Sequence, residues 1–126
     1  SKEKFDVIWM SHVLEHITEP VEFLKKIKEN LRDDGIFFIE VPNCEYKPIL
    51  KSSIEKNPHL FHFTKKSLIK LVEKIGYKVV TCDVFRPATK SEGIRHKIMK
   101  NSFPYYPRII TDVYSGRDLR IILKNN

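Results

Sequence analysis

At 126 residues, with 41% apolar, 11% aromatic and 31% charged side chains, the chain is shorter than an average domain and apolar enough for one core. That excludes a multidomain enzyme and a disordered tail. Lys and Arg number 23 against 16 Asp and Glu, a net charge of +7 that favours anionic partners and is silent about fold.

Cys44 and Cys82 are too few and too separated for a disulfide framework or a paired-cysteine zinc site, so a reducing cytoplasm is the expected compartment. No apolar run approaches the roughly 20 residues of a membrane helix, and the charged start SKEKFD does not read as an export signal. The chain is expected to stay off membranes.

Phe5 to Met10, FDVIWM, is a nearly continuous apolar run with β-branched and aromatic bias, which predicts a parallel strand covered on both faces. From Pro20, Val21, Leu24, Ile27 and Leu31 share one helical face, with Thr18 or Glu19 as the cap and Asp33-Asp34-Gly35 as the stop, Gly35 taking a left-handed conformation. Ile36 to Val41 is the next strand, closed by Pro42-Asn43. Strand, helix and strand with short connections make a βαβ unit, hence a parallel pair in a sheet with helices on its faces. Asn43 to Phe63 reads as a long connection. A second helix runs from a Thr64 cap to Gly76, followed by a strand from Tyr77 to Phe85 and a closing strand at Leu119 to Leu123.

FDVIWMSHVLEHITEPVEFLKKIKENLRDDGIFFIEVPN followed by HLFHFTKKSLIKLVEKIGYKVV resembles the carboxyl-terminal half of class I S-adenosylmethionine-dependent methyltransferases. The pieces fall in the family's order: a fourth strand with its LEH turn, a helix, an LxPGG-like turn written here as LRDDG, a fifth strand ending in VPN, an HFT-initiated helix and a G-Y/F-x-V-V strand. The resemblance implies an α/β fold, part of a Rossmann-like methyltransferase sheet with parallel strands, crossover helices and an antiparallel last strand. It also implies S-adenosylmethionine as cofactor, with Ser11 and His12 beside its methionine portion.

The family holds its cofactor mainly through a glycine-rich turn and an acidic residue upstream of the LEH segment. Here Gly35, Gly76, Gly93 and Gly116 are scattered, so they cannot form a backbone cradle. Residues 1–126 therefore read as the acceptor-side, carboxyl-terminal half of a methyltransferase domain, inactive alone. A central strand lacking a neighbour exposes an apolar edge, and self-association through it is expected.

SHVLEH lies at the carboxyl end of a parallel strand, where open α/β sheets place ligands. On a helical turn His12, Glu15 and His16 share a face, and His59 and His62 can approach from the later loop. Three readings stand open. Glu15 and His16 fix the loop by hydrogen bonds; or His12 or His16 is the general base for the acceptor; or Glu15, His16 and His59 hold a divalent metal. Metal-assisted O-methyltransferases of ubiquinone biosynthesis and of small-RNA ends are similar in an ExxEH turn plus a later histidine. His12 stands where they carry the first Glu, so the resemblance assigns no metal here. His12, Glu15 and His16 are the candidate catalytic residues.

Tyr46, Phe61 and Phe63 either stack on a planar substrate or serve as satellite core. Between Arg86 and Arg117, seven Lys and Arg stand against Glu92 and Asp112, and this basic insertion carries Phe103, Tyr105 and Tyr106. Such a surface suits phosphate, sugar-nucleotide or nucleic-acid groups. Two functions follow: methyl transfer to a small-molecule or glycan-like acceptor, or a non-catalytic module that holds an anionic partner on the insertion.

Overall fold

The apolar spacing of the first 42 residues is realised as a βαβ unit in the computed structural model, which describes residues 3–56, 59–86, 108–110 and 114–125 with positions 94 and 98. Strand β1 (Phe5–Ser11) runs through a 3-10 turn (Leu14–His16) into helix α1 (Pro20–Asn30) and strand β2 (Leu31–Pro42). β1 and β2 pair in parallel, from Val7 opposite Ile36 to Ser11 opposite Glu40. Pro20 occupies the first turn of α1, where its missing N–H costs nothing.

Helix α1 starts where the sequence places it and stops earlier than expected. Glu19 is the N-cap but its side chain makes no capping hydrogen bond, and the helix ends because Leu31 turns extended, at φ −92° and ψ 132°. Gly35 lies inside β2, and Gly76 is the described glycine with positive φ. Gly35 answers a different constraint: a Cβ there would sit 2.7 Å from Leu31 Cδ1 and 2.9 Å from the Arg32 carbonyl oxygen.

Two further helices follow, α2 (Lys47–Glu55) and α3 (Lys65–Ile75). The first occupies what the sequence presents as a long connection. Helix α3 has the expected ends: the Ser67 N–H donates to Thr64 Oγ1 at 3.1 Å, the Thr64 N–H donates to Ser67 Oγ at 2.9 Å, and Gly76 closes it at φ 103°.

Strands β3 (Lys78–Arg86), β4 (Arg108–Ile110) and β5 (Asp118–Lys124) complete a five-stranded sheet in the order β1-β2-β5-β3-β4. β5 lies antiparallel between β2 and β3, which confirms the α/β class and the antiparallel last strand. Most of the basic stretch from Arg86 to Arg117, with its aromatic residues Phe103, Tyr105 and Tyr106, lies outside the described residues.

The core sits on one face. Phe37, Ile39 and Val41 of β2 and Leu119, Ile121 and Leu123 of β5 are fully buried with Leu24 of α1 and Leu68 and Val72 of α3. Each such side chain contributes about 1.5–3 kcal/mol through burial. Tyr77 joins the layers, its hydroxyl donating to the Leu24 carbonyl at 2.7 Å. The opposite face is less covered, with Ile36 and Val80 exposed, so the described helices α1 and α3 do not cover both faces.

β1 departs furthest from expectation. Its run was predicted to be covered on both faces, yet Phe5, Val7 and Trp9 are exposed, Trp9 by 69%. Apolar composition identifies a strand without saying whether a neighbour covers it. Among the described residues β1 is the outer strand of this sheet, paired with β2 alone. Phe61 and Phe63 belong to the core, stacked at 6.1 Å with Phe63 buried, which favours their satellite-core reading.

Candidate active site

The end of β1, the end of β2 and the start of β5 meet at one edge of the sheet, because the first two strands run parallel and the third runs against them. There Ser11 Oγ donates to Glu40 Oε1 at 2.7 Å and the His12 N–H donates to the Glu40 carbonyl at 2.9 Å. His12 has φ 54°, the left-handed region that costs a residue with a Cβ about 1–2 kcal/mol. That backbone turn starts the 3-10 segment carrying Glu15 and His16.

His12, Glu15 and His16 do come together. Oε1 of Glu15 lies 3.6 Å from His12 Nδ1 and 3.7 Å from His16 Nε2, so one carboxylate oxygen serves both rings. Glu15 is 1% exposed, and neither of its carboxylate oxygens has a hydrogen-bond partner among the described residues. Both imidazoles are about half exposed.

His59 joins them, for a reason that lies in α2. The Leu60 and Phe61 N–H groups donate to the Glu15 carbonyl at 3.0 and 3.2 Å, tying the later loop to the 3-10 turn. Ser53, buried on α2, accepts the His59 N–H on its carbonyl at 3.0 Å and places its hydroxyl 3.0 Å from His59 Nδ1. The His59 ring then meets His16 edge-on at 4.7 Å between centroids. Burial pushes the His59 pKa down, with the Glu15 charge opposing the shift. His62 is exposed and is not among the described residues lining the cavity.

Three site residues were not foreseen: Glu40, Asp118 and Arg120. His12 Nε2 lies 3.3 Å from Glu40 Oε1 and 3.5 Å from Asp118 Oδ1, and Arg120 Nε donates to Glu40 Oε2. Arg120 also lies over the Phe85 ring at 4.4 Å. Burial alone would raise the Glu40 pKa, but the hydrogen bonds from Ser11 and Arg120 and the charges of Arg120 and His12 hold it below the ordinary carboxylate value. Asp118 shifts up, from burial first and the Glu40 charge second. Glu40 had a signal: it is the one charged residue in the apolar run IFFIEV. Asp118 and Arg120 had only alternation along β5, whose pairing with β2 is long-range.

A cavity of about 560 Å³ lies beside these groups, lined by His12, His16, His59, Asp118, Arg117 and Arg86 among others. Ligand atoms of Glu15, His16 and His59 lie within 4.8 Å of one another, as do those of His12, Glu40 and Asp118. The site thus combines half-exposed imidazoles with buried and half-buried carboxylates. Such a set can accept a proton from a bound nucleophile, orient it, or ligate a cation.

Comparison with known proteins agrees with this architecture. Residues 1–82 match a family model described as a methyltransferase domain. A curated relative, the zebrafish (Danio rerio) N-terminal Xaa-Pro-Lys N-methyltransferase 2, is 39% identical over 59 residues, covering 42% of this chain and 21% of that protein. An S-adenosylmethionine-dependent methyltransferase from Archaeoglobus fulgidus superposes with a TM-score of 0.68 at 18% identity, covering 98% of this chain and 60% of that one. One from Thermotoga maritima gives 0.70 at 16% identity, covering 99% and 57%. The chain thus spans less than two thirds of each of these proteins. With the fold shared and the family model covering most of its length, the chain belongs to the methyltransferase domain family of class I.

Proposed function

We propose that this chain is the acceptor-side half of an S-adenosylmethionine-dependent methyltransferase, with the rim at Ser11–His16 as the place of methyl transfer. The single observation that carries the reading is the convergence of His12, His16 and His59 on one cavity at the carboxyl end of the β1–β2 parallel pair. When bound, S-adenosylmethionine supplies a methyl group on a sulfonium, and its transfer is a direct displacement governed mainly by alignment. The chain's residues fit the reacting end of that cofactor only: the described glycines, Gly35, Gly76 and Gly116, lie far apart in sequence and form no cradle.

Within this reading His16 takes the proton of an oxygen or nitrogen acceptor, and Glu15 Oε1, 3.7 Å from His16 Nε2, holds the ring in place. His12 is positioned by Glu15 on one ring nitrogen and by Glu40 and Asp118 on the other. Ser11 braces Glu40 and with His12 borders the methionine portion.

The exposed Phe5, Val7 and Trp9 are accounted for by the same reading: in the whole enzyme further strands continue the sheet past β1 and bring the glycine-rich turn. The chain by itself then has an open edge and self-associates. Calorimetry with S-adenosylhomocysteine tests this. The chain alone is expected to give no measurable heat of binding, and a protein extended upstream by the missing half is expected to bind in the micromolar range. Micromolar binding by the chain alone, or none by the extended protein, refutes it.

A specific observation favours a second reading of the same cluster, a divalent cation on Glu15, His16 and His59. A carboxylate buried without hydrogen bonds is costly unless a cation or donor meets it, and its oxygens lie with two imidazole nitrogens in ligand range. The ion would supply Lewis-acid orientation of an acceptor hydroxyl. Manganese added to the protein is then expected to broaden the His16 and His59 ring resonances selectively, and Glu15→Gln to abolish the effect. Uniform broadening across the three cavity histidines would leave the general-base reading in place.

A further inference from the structure

The ring of His12 stands between two groups of carboxylates. Glu15 Oε1 lies 3.6 Å from Nδ1, while Glu40 Oε1 and Asp118 Oδ1 lie 3.3 and 3.5 Å from Nε2. A neutral imidazole carries one N–H and cannot serve both sides. Even a protonated ring has one N–H for the two oxygens beside Nε2, and both are farther away than the roughly 2.7–2.9 Å of a charge-assisted hydrogen bond. The spacing suits a shared ion better. Two ligand atoms about 2.1 Å from one cation, at the tetrahedral angle, stand roughly 3.4 Å apart. The two separations at Nε2 match that value, and all three ligand atoms lie within 4.8 Å of one another.

The fold holds these three atoms in place. The His12 N–H donates to the Glu40 carbonyl at 2.9 Å, which ties the base of the imidazole to the strand that carries the carboxylate. Asp118 pairs with Pro42 and Arg120 with Glu40, so Glu40 and Asp118 are diagonal neighbours on one face of the sheet. Arg120 Nε donates to Glu40 Oε2, the oxygen turned away from this set. Ser11 Oγ donates to Oε1 at 2.7 Å, and a carboxylate oxygen keeps a second lone pair for a cation. Glu15 gives an independent sign. A cation on Nε2 leaves the ring proton on Nδ1, and ligating histidines commonly direct that N–H at a carboxylate. Glu15 is 1% exposed and its carboxylate has no hydrogen-bond partner among the described residues. The Nδ1–H of a metal-bound His12, a small ring movement away, is the donor it lacks.

We infer that His12 Nε2, Glu40 Oε1 and Asp118 Oδ1 form a binding site for a divalent transition-metal ion, with Glu15 supporting the ring from behind. One imidazole nitrogen and two carboxylate oxygens suit zinc, iron(II) or manganese. The site shares no ligand atom with the Glu15–His16–His59 set. His12 and Asp118 line the cavity, and three protein ligands leave a coordination position for an oxygen of the acceptor. That last role rests on the methyl transfer proposed at Ser11–His16. The cation site itself does not.

The test is calorimetric titration of zinc ion into the protein with no methyl donor present, joined to nitrogen-15 spectra of the histidine rings. Saturable binding is expected, with the coordination shift on His12 Nε2 and the proton retained on Nδ1. Asp118→Asn is expected to weaken it at least about tenfold, the low end of what losing even a supporting partner of a ligand costs. His12→Gly should remove it, and His59→Ala should leave it unchanged. Asn matches Asp in shape and Gly tolerates the φ of 54° at position 12, so both variants are expected to keep the circular dichroism spectrum of the parent protein. Absence of saturable zinc binding overturns the inference, as does binding that His59→Ala abolishes while Asp118→Asn and His12→Gly leave it intact. Because no cofactor enters the titration, failure here is separate from a failure to bind S-adenosylhomocysteine.

Discussion

Strands β1 and β2 lie side by side in parallel register, Ile8 opposite Phe37 and Trp9 opposite Phe38, and their paired stretches Val7–Met10 and Ile36–Ile39 are both wholly apolar. Their surroundings are opposite. β2 is flanked by β1 and β5 and buries Phe37, Ile39 and Val41 completely, whereas β1, among the described residues, has a partner on one side only and exposes Phe5, Val7 and Trp9. The difference teaches that an apolar run specifies a strand, while its place in the strand order decides how much burial stabilises it.

The largest effect expected from this contrast is in stability. Phe37→Ala should cost about 3–5 kcal/mol by removing a ring from a filled core. Trp9→Ala should cost less than about 1 kcal/mol, as other exposed substitutions do. Urea denaturation of the two variants compares them directly, and equal losses would mean that β1 is covered in solution.

A second contrast separates the core from the rim. Core polar groups such as the Tyr77 hydroxyl are satisfied, while the Glu15 carboxylate is buried among described residues that give it no hydrogen bond. Replacing it by an apolar side chain of similar length removes that cost, so Glu15→Met is expected to raise stability by about 1–3 kcal/mol. If methyl transfer takes place at this rim as proposed, the same change should abolish it, and a destabilised Glu15→Met would show that the carboxylate serves the fold. His12 repeats the pattern on the backbone: Gly tolerates the φ of 54° that His12 adopts. His12→Gly should raise the unfolding free energy by about 0.5 kcal/mol after glycine's own entropy cost is counted, read as a higher denaturation midpoint.

The smallest expected effect is a pH-dependent one. The folded-state pKa of Asp118 lies above its ordinary value of 3.8, so the folded protein holds this proton more readily than the unfolded chain. The stabilisation is present below the ordinary value and lost as pH rises through the shifted one. Asp118→Asn should therefore raise the melting temperature at pH 7, with the gain shrinking as the pH falls toward 4. Glu40 has the opposite sign: its lowered pKa contributes stability above the ordinary carboxylate range that is lost on acidification.

Much of the fold was legible because its signals are local. The three-residue spacing of Val21, Leu24 and Ile27, the Thr64 capping box and the left-handed Gly76 each act within one or two turns. Helix α2 was not legible: its Pro48 and serines read as loop, and Ser53 shows its use only once it meets His59. The candidate site divides in the same way. His12, Glu15 and His16 are neighbours in sequence and were found together, with Ser11 next to them. Asp118 and Arg120 reach the rim through an antiparallel pairing with Pro42 and Glu40 that no local pattern encodes.

The central claim is that methyl transfer takes place at the rim formed by Ser11–His16. Its most direct test is ultraviolet crosslinking of S-adenosyl-[methyl-³H]methionine to the protein extended by the upstream half proposed above, followed by peptide mapping. The account predicts label on the peptide that contains Ser11 to His16. Label confined to other peptides of this chain, with that segment clean, would contradict it.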